Sequence, residues 1–106
     1  MSELNRPETV IEHGDICLYS EEIRVTLCGE ELSLAPKEYK ILELFMANPR
    51  RVLSREVLLE EVWGPDFTGD KKTVDVHIRW VREKIEDNPS LPKYLKTVRG
   101  FGYRLD

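Results

Sequence analysis

The spacing of apolar residues changes at Pro36, and that change limits what this chain can fold into. From Thr9 to Leu34 apolar residues come in short alternating runs: Ile16 with Leu18, then Ile23, Val25 and Leu27 around Arg24 and Thr26, then Leu32 and Leu34 around Ser33. Alternation sends every second side chain to one face. These runs therefore predict a small antiparallel meander with one buried face, turning at Ser20-Glu21-Glu22 and Cys28-Gly29-Glu30. After Pro36, which suits a first helical turn, Tyr39, Leu42, Phe45 and Met46 recur at helical spacing, widened by Ile41 and Leu44, until Asn48-Pro49 stops the helix.

Ser54 is a good N-cap for a second helix, with Glu56 in its first turn, Val57, Leu58, Val62 and Trp63 on its apolar face, and Gly64-Pro65 closing it. The turn-rich stretch from Gly64 to Asp70 leads to a third helix, from about Lys72 to Asp87, ended by Asn88-Pro89. Leu95 to Val98, the turn Arg99-Gly100-Phe101-Gly102, and Tyr103 to Leu105 read as a hairpin, with Phe101 expected in its core. Strands segregated from helices give the α+β class, and the element order is that of a winged helix-turn-helix: N-terminal antiparallel β-meander, three helices and C-terminal β-hairpin wing. The 106 residues suffice for one core, spanning 9–106, while residues 1–8 are polar, contain Pro7 and read as a tail or linker remnant.

Apolar runs such as Leu44 to Ala47 fall far short of the roughly 20 residues a membrane span requires, and the first residues lack the basic head and apolar stretch of a secretory signal. A cytoplasmic location with no membrane partner is the expectation. Cys17 and Cys28 lack both CxxC spacing and paired histidines, so they are expected to be small reduced core residues, with a regulatory disulfide as the alternative.

Net charge is −4, yet residues 1–70 sum to −8 and residues 71–106 to +4. An anionic partner should therefore meet the C-terminal third, while the acidic remainder suppresses indiscriminate adhesion. At 100° per residue, Val74, Ile78, Val81 and Ile85 of the third helix fall within roughly 60° and form its buried stripe. The opposite face carries Lys72, Thr73, Val76, Arg79, Trp80 and Glu83, with His77 and Arg82 flanking the stripe. Cations, a hydroxyl and two exposed apolar groups exceed what solvation needs. A helix of about 10–12 Å diameter fits the major groove of B-DNA, where Val76 can meet a thymine methyl and Trp80 bases or sugars, while Arg99 at the hairpin tip can reach the adjacent minor groove.

Catalytic readings fare worse. Gly64 and Gly69 have phosphate-loop spacing, but Asp70 stands where the motif needs lysine, and the preceding helix is the wrong context. His13 and His77 are the two histidines, and no nucleophile–base arrangement, carboxylate pair or metal spacing accompanies them, so neither enzyme nor cofactor is expected. A winged-helix protein-interaction module is the competing reading, motivated by the acidic first two-thirds and the exposed Trp80.

Several motifs in consistent order, from Leu34-Ala35-Pro36-Lys37-Glu38-Tyr39 through Arg51-Val52-Leu53-Ser54-Arg55-Glu56-Val57-Leu58, Val62-Trp63-Gly64 and Thr73-Val74-Asp75-Val76-His77-Ile78-Arg79 to Thr97-Val98-Arg99-Gly100-Phe101-Gly102-Tyr103, closely resemble the OmpR/PhoB-type winged-helix effector domain of bacterial two-component response regulators. The resemblance runs from about Ile16 to Leu105 and implies a transcription factor. By that resemblance, Trp63, Lys72, Thr73, His77, Arg79, Arg82, Thr97 and Tyr103 stand where the family contacts the DNA backbone, Val76 and Trp80 where it contacts bases, and Arg99 where the wing enters the minor groove. It further implies head-to-tail pairing on direct repeats and a polymerase-contact loop at Pro65, Asp66, Phe67, Thr68, Gly69 and Asp70. Full-length members carry a phosphorylated receiver, which this sequence lacks. Two further departures are Trp80, where some relatives read guanine with arginine, and Ala35, where a threonine often caps the first helix at a gain of about 1 kcal/mol.

Overall fold

The computed structural model describes residues 9–106, so the tail or linker reading of residues 1–8 lies outside the described residues. Four antiparallel strands, β1 (Val10–His13), β2 (Ile16–Tyr19), β3 (Arg24–Leu27) and β4 (Glu30–Glu31), pair in chain order. Helix α1 (Pro36–Ala47) packs Tyr39, Ile41, Leu42, Phe45 and Met46 into one core with Ile16, Leu18 and Val25 of the sheet. The meander is thus present, with a strand, β1, ahead of the runs that announced it.

Ile23 departs from the expected strand. Its backbone is left-handed (φ 51°), its side chain is 69% exposed, and its N–H donates to the Ser20 carbonyl at 3.4 Å. The turn therefore consumes Ile23, and pairing resumes at Tyr19 with Arg24. At the next turn Cys28 and Gly29 both have positive φ (52° and 82°), the two-residue geometry whose twist matches that of the flanking strands. That geometry turns Cys28 outward, so the expected buried pair of cysteines is corrected to one half-buried (Cys17) and one exposed (Cys28), both unbridged.

Ser54 caps α2 as expected, its Oγ accepting the Val57 N–H at 3.1 Å, but α2 proper is one turn (Arg55–Leu58). It widens into a π-helical turn over Leu59–Trp63, in which the Gly64 N–H reaches back five residues to the Leu59 carbonyl at 3.0 Å. Leu58 and Val62 face the core, whereas Val57, expected beside them, is 41% exposed.

Helix α3 (Lys72–Ile85) buries Val74, Ile78, Val81 and Ile85 as its periodicity required. Beyond its end, Glu86 is 8% exposed and its carboxylate accepts the N–H groups of Lys93, Tyr94 and Leu95 at 2.7–3.1 Å. This fixes the approach to the wing, β5 (Leu95–Val98) and β6 (Gly102–Leu105). Leu53 joins the hairpin by exchanging two backbone hydrogen bonds with Tyr103, at 2.8 and 3.0 Å. Phe101, expected in the hairpin core, is instead 73% exposed at the tip, within the turn that its N–H closes by donating to the Val98 carbonyl at 2.9 Å.

Candidate nucleic-acid interface

Helix α3 presents the outward face that its sequence described. Lys72, Arg79, Val76 and Trp80 are exposed, the last two at 44% each, and Thr73 is half-buried beside them. Asp70 accepts the Lys72 N–H at 3.0 Å and so holds the start of α3, leaving the Lys72 side chain free of that role. Arg79 lies 3.9 Å from Glu83 across one turn, a solvated pair of little energetic consequence.

His77 is the centre of an aromatic row. Its Nδ1 lies 2.8 Å from the Thr73 carbonyl, and its ring meets Trp63 edge-on at 4.9 Å and Trp80 at 4.8 Å. Trp63 in turn carries Phe67 at 6.0 Å and is packed against the core, while Lys37 sits 5.8 Å from its ring centre. The row orients Trp80, an otherwise flexible surface indole. With Nδ1 donating to the helix carbonyl, Nε2 of the neutral His77 ring is an acceptor.

Other candidates are already engaged within the chain. Arg82 donates from Nε to the Leu95 carbonyl at 2.8 Å and from one terminal nitrogen to Thr97 Oγ1 at 2.9 Å, and its guanidinium lies 5.5 Å from the Tyr103 ring centre. Burial lowers its pKa from the ordinary arginine value, although a guanidinium stays charged there. Tyr103 is 7% exposed and donates its hydroxyl to Asp75 at 2.5 Å; burial first, then that carboxylate, pushes its pKa up to about 12. Thr97 and Arg99 lie exposed on the hairpin, and Pro65, Asp66, Phe67, Thr68, Gly69 and Asp70 form an exposed loop, with Phe67 folded over Gly69.

Four charged residues went unremarked as site residues in the sequence. Asp75 pairs with Arg55 Nε at 3.1 Å, and Lys71 pairs with Glu56, so Arg55 and Lys71 border the same cleft of about 290 Å³ as Thr97, Gly100, Phe101 and Tyr103. Their partners are 15 to 28 positions away in sequence, beyond any local spacing rule. Among the described residues no cluster of three metal-ligating side chains occurs, and no helix is long and apolar enough to cross a membrane.

The family model described as "Transcriptional regulatory protein, C terminal" matches residues 29–105. A probable transcriptional regulatory protein of Picosynechococcus sp. is 67% identical over 96 residues, which cover 91% of this chain and 38% of that protein. The alkaline phosphatase synthesis transcriptional regulatory protein SphR of Synechococcus elongatus is 64% identical over 96 residues, covering 91% of this chain and 37% of its own length. This chain therefore spans under half the length of these relatives. Among solved structures, the Klebsiella pneumoniae RstA DNA-binding domain in complex with the RstA box superimposes with a TM-score of 0.83 at 29% identity, over 92% of this chain and 96% of that one. The chain belongs to the transcriptional regulatory protein C-terminal family, the winged-helix effector domains of OmpR/PhoB-type response regulators, a family of DNA-binding regulatory domains and not of enzymes.

Proposed function

We propose that residues 9–106 bind duplex DNA sequence-specifically, with α3 in the major groove and the Arg99 hairpin in the adjacent minor groove. The observation that carries this reading is the convergence on one helical face of exposed Lys72 and Arg79 with exposed Val76 and Trp80, beside a hairpin tipped by Arg99. The cations supply the long-range attraction that dominates affinity, and the apolar groups between them add contacts to base edges. Lys72, Thr73 and Arg79 take backbone phosphates, His77 packs against the backbone beside them, and Val76 and Trp80 take base edges. Trp63 supports His77 from below, while Arg82, Thr97 and Tyr103 border the backbone from the wing side.

Two copies of the domain pair head to tail on direct repeats, in the cytoplasm. The exposed loop from Pro65 to Asp70 offers RNA polymerase an acidic surface centred on Phe67. Selection of random duplex DNA by the purified chain, followed by titration of the recovered sequence at several salt concentrations, tests the reading. A direct repeat with half-sites about one helical turn apart and a steep salt slope supports it. Weak binding with no enriched sequence contradicts it and favours a protein partner for this face.

A further inference from the structure

We propose that Asp75 is a positioning residue that locks the wing to α3, so that Arg99 and the outward helical face reach DNA at one fixed spacing. The inference rests on the reading that Arg99 enters the minor groove. Two clamps join α3 to the hairpin at points about two helical turns apart. Near the start of α3, Asp75 Oδ1 accepts the Tyr103 hydroxyl at 2.5 Å and pairs with Arg55 of α2 at 3.1 Å. Farther along, Arg82 bonds the Leu95 carbonyl and the Thr97 hydroxyl, and lies over the same Tyr103 ring. One attachment would leave the hairpin free to pivot; two attachments on one rigid helix hold it against rotation. The Leu53–Tyr103 bridge ties β6 to the segment ahead of α2, but the tip beyond it, Arg99, Gly100 and Phe101, is exposed, and the side-chain bonds that tie the hairpin to α3 are these two clamps.

Asp75 is also an anion placed among cations, on the element that faces an anionic ligand. If its charge were all that mattered, its removal would free Arg55 and tighten DNA binding. A clamp predicts the opposite sign, because a loosened hairpin spends binding free energy on ordering Arg99.

The test is a double-mutant cycle on the selected duplex with the 106-residue chain, comparing the parent, Asp75→Ala, Arg99→Ala and the double variant. The clamp predicts that Asp75→Ala weakens binding about tenfold, the order expected for losing a charge-assisted hydrogen bond. It also predicts that in the Arg99→Ala background the same substitution has no effect or tightens binding. Tighter binding in both backgrounds overturns the proposal in favour of simple charge, and equal weakening in both overturns it in favour of a purely structural role. An Arg99→Ala variant that binds like the parent overturns the minor-groove reading itself, and the clamp with it. Should Asp75→Ala not fold, Asp75→Asn keeps the volume and an acceptor for Tyr103 but loses the Arg55 pair. A smaller weakening that vanishes with Arg99→Ala then supports the clamp, and tightening or an Arg99-independent loss overturns it.

Discussion

Single residues decide where the backbone can go. Gly102 has φ 147°, and a Cβ there would lie 2.2 Å from the Leu53 carbonyl oxygen. Gly102→Ala should therefore break the Leu53–Tyr103 bridge and cost about 2 kcal/mol or more, read as a fall in denaturant midpoint. Glu38 is the corresponding electrostatic case. It is 4% exposed, and burial alone would raise its pKa; the bonds from Lys84 and from the Ala35 N–H overcome that and hold it below the ordinary carboxylate value. The folded carboxyl thus binds a proton less readily than the unfolded one, so its contribution is present above the unfolded pKa and disappears as pH falls through the lowered folded value. The melting-temperature gap between the parent and Glu38→Gln should stay constant from about pH 7 to about pH 5 and close below about pH 4. A gap that persists in stronger acid contradicts this role. At this scale the sequence was least informative. Ile23 and Phe101 look like core residues by composition and alternation, and turn geometry placed both in solvent. Glu86 serves three backbone N–H groups that only the folded path of residues 93–95 brings together.

Elements follow local rules more closely. The buried stripe of α3 could be read to the residue because a 14-residue helix repeats its period enough times to be unambiguous. The second helix, one α-turn followed by a π-turn, offers no such repetition, and an even apolar face across Val57, Leu58, Val62 and Trp63 was the wrong expectation for it. Helix α1 carries half of a capping box: the Ala35 N–H donates to Glu38 Oε1 at 2.9 Å, but alanine has no oxygen for the reciprocal bond. The backbone at Ala35 (φ −71°, ψ 157°) already has cap geometry. Ala35→Thr should therefore stabilise the domain by about 1 kcal/mol, visible as a melting temperature higher by about 4–8 °C. No gain would mean that Glu38 alone satisfies this helix start.

Over the whole molecule charge divides along the chain, −8 over residues 1–70 against +4 over residues 71–106, and that division was legible in the sequence. What the sequence hid was how the cations are shared. Lys72 and Arg79 project outward, whereas Arg55 and Arg82 are committed to Asp75 and to the wing. Outward cations should govern affinity and salt response, and the apolar pair between them sequence choice. Val76→Ala or Trp80→Ala should change base preference by about 1–3 kcal/mol while leaving the salt slope nearly unchanged, as a repeated selection with each variant would show. The most direct test of the DNA-reading face is the slope of log affinity against log salt for the parent, Lys72→Ala and Arg79→Ala on the selected duplex. Each substitution should weaken binding and flatten the slope by about one unit, as the loss of one phosphate contact requires. Affinities and slopes unchanged in both variants would contradict the placement of α3 against DNA.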